Sequence, residues 1–230
     1  MNISVGFNVT VDRAADHRHR ERLIAHSLLP CPVAAMNEVL KNIYERRSVR
    51  SYAEKSVPEE TVREIIKAGF HAANGVNAQG LRFAVITDRA KLKTYAEKAR
   101  VMSLIAFQRL NEQRPSEATS RLIRSLSNPE NDIFHGAPAV VFIFTTPACL
   151  TPVEDASLAA GNMMLAARSL GLGSCWIGFA KSLGGDPEFV KEMNVPGDHS
   201  LAASLILGYP KNEGSRPSVR DEPKILGWLK

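Results

Sequence analysis

Apolar residues recur along this 230-residue chain at two spacings, and the change from one to the other marks out its elements. Met36, Val39, Leu40, Ile43 and Tyr44 follow the i, i+3, i+4, i+7, i+8 rhythm of one helix face, which predicts an amphipathic helix docked on a core. Ser56-Val57-Pro58-Glu59 has the Ser-x-x-Glu form of a capping box with proline in the first turn. Val62, Ile65, Ile66 and Phe70 continue from it as a buried face, with Gly69 near the helix end. The β-formers of 82–87 predict a strand, and Asp88 the N-cap of a helix through Lys91, Leu92 and Tyr95. Residues 100–135 read as a helical excursion broken at Pro115 and Pro129.

The run 139–145 is continuously apolar, as in a central strand buried on both faces. A helix over 152–170 follows. It is apolar nearly all round and rich in small residues, so it belongs at the centre of the molecule or in a subunit interface. Asn162 inside it is expected to make a structural hydrogen bond. Residues 171–179 give a helix stop, a short strand and a glycine bend, followed by a short helix at 187–193 and a strand at 200–208. The proline-bearing tail ends in Ile225, Leu226 and Trp228, and such a tip lies across a surface, its own or a partner's.

Composition narrows the functional classes. The chain is 44% hydrophobic and 23% charged, which suits one globular domain, and its net charge of +5 favours anionic small molecules. With 7% aromatic residues and scattered arginines, no basic stripe with stacking rings points to nucleic acid. Cys31, Cys149 and Cys175 form no C-x-x-C pair, so neither a disulfide framework nor a zinc site is expected, and a reducing cytoplasm is the simplest compartment. No apolar run reaches membrane-spanning length. Residues 1–35 lack a clear period. They read as a disordered leader or non-native extension before one domain at 36–230, in preference to a targeting peptide or a metal cluster of His17, His19, His26 and Cys31.

Candidate chemistry gathers at 45–52, Glu-Arg-Arg-Ser-Val-Arg-Ser-Tyr. Arg46, Ser48 and Arg50 alternate, so an extended chain presents all three on one side. A guanidinium beside a hydroxyl suits a phosphate or carboxylate. Cations at a helix C-terminus also offset the helix dipole, so a solvated charge run stays open as the alternative. Asn77 and Gln79, two apart in a small-residue loop, offer amides to one ligand or simply cap the loop together with Asn74. Gly171–Gly178 follows a helix and is not G-x-G-x-x-G, which argues against a Rossmann phosphate loop. Cys175 has no suggested base and reads as a buried packing thiol.

Four blocks in order resemble the FMN-dependent nitroreductase superfamily. Arg46-Arg47-Ser48-Val49-Arg50 resembles its N-terminal phosphate motif, and 72–83 its loop of the form A-P-S-x-x-N-x-Q-P-W-R-F. Residues 155–177 resemble its central helix with G-L-G-x-x-W-I-G, and Leu207-Gly208-Tyr209-Pro210 with Arg220 its terminal strand and basic tail. The resemblance implies an α/β sandwich of α+β type, with a mixed, mainly antiparallel sheet of four to five strands and helices on both faces. It implies a homodimer packed through the central helices and wrapped by the C-terminal tails, with FMN in two interface clefts. Arg46, Ser48 and Arg50 would hold the FMN phosphate and ribityl end, with Arg47 nearby and Arg220 as a second phosphate contact. Asn77, from the same or the partner subunit, would meet the polar edge of the isoalloxazine, supported by Gln79. The backbone at Ile177 and Gly178 would face flavin N5 and O4.

The implied activity is a ping-pong oxidoreductase passing hydride from NADH or NADPH through flavin N5 to nitroaromatic or quinone-type acceptors. No catalytic side chain, metal, nucleic acid or membrane is called for, because the flavin carries the chemistry. Reductive dehalogenation, enone reduction, flavin fragmentation and flavin binding without turnover are the alternatives. Ala73-Asn74 replaces the family's Pro-Ser and Gly80-Leu81 its Pro-Trp, which should leave the loop less preorganised.

Overall fold

The computed structural model describes residues 37–212 and 220–230, so the readings of 1–35 and of Met36 lie outside the described residues. The chain divides into units 1–41 and 42–230. Of the first, the described part is the opening of helix α1 (Glu38–Glu45), where Asn37 Oδ1 accepts the Leu40 N–H at 2.9 Å.

The second unit is organised by β2 (Ala139–Thr145), whose seven residues are all buried. Side chains alternate between faces along a strand, so a strand buried throughout must serve two cores. Val140, Phe142 and Phe144 join one core with Tyr95, Phe189 and Ile206. Ala139, Val141 and Ile143 join the other with Ile65, Met163 and Leu205. Beside β2 lie β1 (Leu81–Ile86), β3 (Gly173–Trp176) and β4 (Ser200–Gly208), in the order β1-β2-β4-β3. Every pairing is antiparallel.

One face carries α2 (Glu59–Phe70) and α5 (Pro152–Ser169). The other carries α3 (Arg89–Gln113), α4 (Glu117–Ser127), a 3-10 segment (Gly178–Gly185) and α6 (Pro187–Glu192). This is the expected α/β sandwich, with four strands and helices on both faces. Asp88 caps α3 as expected, accepting the Lys91 N–H at 2.8 Å. The excursion at 100–135 is α3 and α4, broken after Gln113, with Ser116 accepting the Thr119 N–H at 3.0 Å to start α4.

Three local expectations are corrected. The α2 capping box does not form: the helix begins at Glu59, with Thr61 and Val62 N–H both donating to the Pro58 carbonyl. Extended Pro58 takes the N-cap place, leaving Ser56 outside the turn. Ile43 and Tyr44 at the end of α1, expected to face a core, are exposed on their own chain. Helix α5 is enclosed on one side only. Ala156, Ala159, Ala160, Met163 and Ala167 are buried, while Val153, Leu158 and Asn162 are exposed. Of the two places foreseen for α5, the centre of the molecule is therefore excluded. Asn162 does make a structural bond, donating to the Ala68 carbonyl at 3.3 Å. Gly69 lets α2 and α5 approach closely, because a Cβ there would lie 2.5 Å from Met163 Cγ. Described tail residues 220–230 are all exposed.

Helices α3 and α6 are tied by polar contacts at their rim. Tyr95 donates to Glu192 Oε2, and Lys91 Nζ stands 2.8 Å from Glu192 Oε1. The Lys91 hydrogen bond, with that of Tyr95, holds the Glu192 carboxyl below the ordinary glutamate range. A lowered folded pKa gives stability that is present above the unfolded value, near pH 4.3, and lost as pH falls through the folded one. Thermal melts of wild type and Glu192→Gln should therefore differ near neutral pH and converge as the pH falls through the lowered folded value. A constant gap across that range would contradict this account.

Candidate functional site

The arginine segment leaves α1 as an extended strip laid on the β3 edge. Val49 N–H donates to the Ser174 carbonyl at 3.0 Å, and Ser48 and Ser174 form a parallel bridge. Further on, Ala53 N–H donates to the Tyr209 carbonyl at 2.9 Å and Lys211 N–H to the Ser51 carbonyl at 3.1 Å. Two glycines set the depth of the strip. A Cβ at Gly173 would stand 2.6 Å from Val49 Cβ, and one at Gly208 would stand 2.7 Å from Tyr52 Cδ1. Tyr52 is buried and its hydroxyl donates to the Val49 carbonyl at 2.6 Å. Burial, then the neighbouring Cys175, pushes the Tyr52 phenol far above its ordinary range.

The strip sorts its side chains by alternation. Val49 packs against the sheet, while Ser48 and Arg50 are exposed and Arg46 is half-buried. Arg47 turns back onto α1 and donates to the carbonyls of Tyr44 at 2.7 Å and Arg46 at 2.5 Å. The helix-end reading therefore describes Arg47. Among the described residues the Arg46 and Arg50 guanidinium groups enter no ion pair or hydrogen bond.

Arg46, Arg47, Ser48 and Arg50 line one cleft of about 780 Å³. A further arginine, Arg168 from the last turn of α5, lines it too. Sequence reasoning did not single it out, since a basic residue in the last turn of a helix reads only as a dipole partner. Arg168 donates to Asn42 Oδ1 at 2.9 Å and pairs with Glu45, while Asn42 Nδ2 donates to the Leu165 carbonyl at 2.9 Å. These bonds tie the end of α1 to the end of α5 and fix where the arginine strip begins.

The other predicted residues lie elsewhere. Asn77 and Gln79 are exposed in the loop before β1, which contains a 3-10 turn at Gly75–Asn77. Val76, Asn77 and Gln79 have φ of 50°, 55° and 51°. Capping here is the work of Asn74, whose Oδ1 accepts the Gln79 N–H at 3.0 Å. The Asn77 and Gln79 amides meet each other at 3.4 Å. This loop is bonded to Asp155, whereas the arginine cleft is bonded to Arg168. Thirteen residues separate these two along α5, about 20 Å at 1.5 Å per residue. One chain thus holds the amide loop and the arginine cleft at opposite ends of α5.

At the β3 bend, Ile177 N–H donates to the Ser204 carbonyl at 3.0 Å and the Ile177 carbonyl accepts from Ser204 Oγ at 2.7 Å. Ile177 is buried and committed, while Gly178 beside it is exposed. Arg220 is exposed and does not line the cleft. Cys175 is buried as a free thiol, as expected. Among the described residues no group of three or more His, Cys, Asp or Glu stands ready for a metal, and no helix is long and apolar enough to cross a membrane.

Comparison with known proteins fits this arrangement. The chain is 26% identical over 189 residues to an FMN reductase [NAD(P)H] of Bacillus subtilis, covering 79% of this chain and 69% of that protein. A nitroreductase with bound FMN from Bacteroides fragilis superposes with a TM-score of 0.66 at 28% identity, over 85% of this chain and 98% of that one. Iodotyrosine deiodinase bound to FMN and 3-iodo-L-tyrosine shares the fold, with a TM-score of 0.62 at 24% identity, over 81% of this chain and 97% of that one. Residues 43–209, from the end of α1 to the residue after β4, match the Nitroreductase family, and the chain belongs to that family.

Proposed function

We propose that this chain is an FMN-dependent oxidoreductase that takes hydride from NADH or NADPH and delivers it to a small electron-poor acceptor of the nitroaromatic or quinone type. The observation that carries this reading is the cleft of about 780 Å³ lined by Arg46, Ser48 and Arg50, with both guanidinium groups uncommitted among the described residues. The donor set fits FMN. Four arginines line the cleft against one acid, Glu45, which Arg168 already pairs. Planar guanidinium groups beside a hydroxyl are suited to a phosphate dianion.

Arg46, Ser48 and Arg50 hold the phosphate in this reading, and Arg47 holds the end of α1. Asn77 and Gln79 offer their amides to the polar edge of the flavin. Gly178, exposed at the bend, leaves its backbone N–H for the same ring. When bound, FMN supplies the hydride chemistry, which is why the chain needs no nucleophile or acid pair of its own.

A homodimer belongs to the same reading. The two halves of the site lie about 20 Å apart within one chain, so Asn77 of one copy serves the arginine cleft of the other. The uncovered apolar residues Ile43, Tyr44, Val153 and Leu158, with Leu226 and Trp228 of the tail, are the surface such a partner would cover. Cys149 and Cys175, buried free thiols, suit a reducing cytoplasm.

Anaerobic titration of the FMN-loaded protein with NADH and then NADPH, followed by a panel of oxidants, tests the activity. Bleaching by one nicotinamide and recovery with a quinone or nitroarene is the expected outcome. A protein left colourless after reconstitution with FMN and dialysis would overturn the reading. Bleaching followed by recovery only with an aryl halide would move the activity toward reductive dehalogenation. The shared fold of iodotyrosine deiodinase makes that the leading alternative.

A further inference from the structure

Loop 74–79 holds a conformation that its own sequence disfavours. Val76, Asn77 and Gln79 all lie at φ near 50°, in the left-handed region where a Cβ crowds the backbone, and such a run persists only when its surroundings over-determine it. Asn74 closes the loop from within. Among the described residues, the hydrogen bond that links 74–78 to an element outside the loop is Gly75 N–H to Asp155 Oδ1, at 3.0 Å.

Asp155 stands in the first turn of α5, is only 2% exposed, and enters no ion pair among the described residues. Its bonds show what it does. Thr151 Oγ1 donates to the same Oδ1 at 2.8 Å, and the Asp155 side chain accepts no amide of its own helix. Position 75 must be glycine for this contact, since a Cβ there would meet Thr151 Oγ1 at 2.7 Å. A carboxylate in the first turn of a helix is favoured by the dipole. A buried acceptor on α5 thus grips the loop one residue before its strained run begins.

We propose that Asp155 is a positioning residue: through the Gly75 amide it holds loop 76–79 in the left-handed form that presents the Asn77 amide to the flavin edge. This rests on the reading of the chain as an FMN enzyme. The test uses FMN-loaded wild type, Asn77→Ala, Asp155→Ala, Asp155→Asn and the Asp155→Ala/Asn77→Ala double variant. Two quantities are read, the FMN dissociation constant by fluorescence titration and the two-electron reduction potential.

Asp155→Ala should weaken FMN binding by about tenfold, on the scale of one hydrogen bond. Unequal loss for oxidised and reduced flavin should move the potential, by about 30 mV for a tenfold difference. Asp155→Asn keeps an Oδ1 acceptor and should restore wild-type values. The double variant should match Asn77→Ala alone, because both changes act through one amide. Gly75→Ala displaces the same backbone N–H and is held to the same outcomes if Asp155→Ala is not recovered folded.

Additive losses in the double variant would overturn the proposal. So would an unchanged Asp155→Ala beside an altered Asn77→Ala, or an Asp155→Asn that fails to rescue. A wild-type protein that binds no FMN would instead overturn the functional reading itself, and this proposal with it.

Discussion

Alanine at Arg46 or Arg50 is expected to give a folded protein that no longer retains FMN. Neither guanidinium holds any part of the fold together among the described residues, so its removal should leave the melting transition almost unchanged. Each would instead cost a charge-assisted hydrogen bond to the phosphate, about 1.5–3 kcal/mol. That is about a 10- to 150-fold rise in the FMN dissociation constant for each substitution. Arg47→Ala should behave in the opposite way. Its guanidinium serves the Tyr44 and Arg46 carbonyls, so FMN affinity should stay near wild type while stability falls by about 1 kcal/mol. Equilibrium dialysis against FMN and a urea melt of each variant check both halves. An Arg47→Ala protein as flavin-poor as Arg50→Ala would mean that the three arginines act as one undivided charge cluster.

Gly173→Ala should dislodge the whole strip at once. The added methyl would stand 2.6 Å from Val49 Cβ and Cγ2 and 2.8 Å from its Cγ1, and a branched side chain packed between strip and sheet has little freedom to yield. Overpacking of this kind costs about 1–3 kcal/mol. The affected contact includes the Val49 N–H to Ser174 bond that registers Ser48 and Arg50 over the cleft, so FMN affinity should fall along with stability. Val49→Gly in the Gly173→Ala background removes Cβ, Cγ1 and Cγ2, and with them the collision, and should recover most of the FMN affinity. Melting temperature and FMN titration of the two single variants and the double variant are the measurements. A Gly173→Ala protein with wild-type affinity would show that the strip does not depend on its seat.

Much of the fold was legible because it rests on period and on short-range chemistry. The continuous apolar run of β2, the Asp88 cap and the stops at Pro115 and Pro129 each state their structure within a few residues, and each took the expected form. The Ser56 cap failed because Pro58, two residues on, can itself serve as N-cap while lacking an N–H. The face of α1 was read as apolar and docked on a core, and its last apolar residues, Ile43 and Tyr44, are exposed on their own chain. Periodicity says that a face is to be covered, not which surface covers it.

The site divides along the same line. By itself the sequence determined that an arginine-hydroxyl strip follows a helix, that its alternation places Arg46, Ser48 and Arg50 together, and that an amide pair precedes the first strand. Those facts follow from residue type and from neighbours along the chain. Only the tertiary structure decided which carbonyls Arg47 serves, that Arg168 joins the cleft from the far end of α5, and that Asp155 grips the amide loop. Each of the last two depends on a partner brought from 80 or more residues away. It also decided that the cleft and the amide loop stand at opposite ends of one helix. No local pattern encodes that separation, because it is set by the helix length and by which turns of α5 meet the two segments.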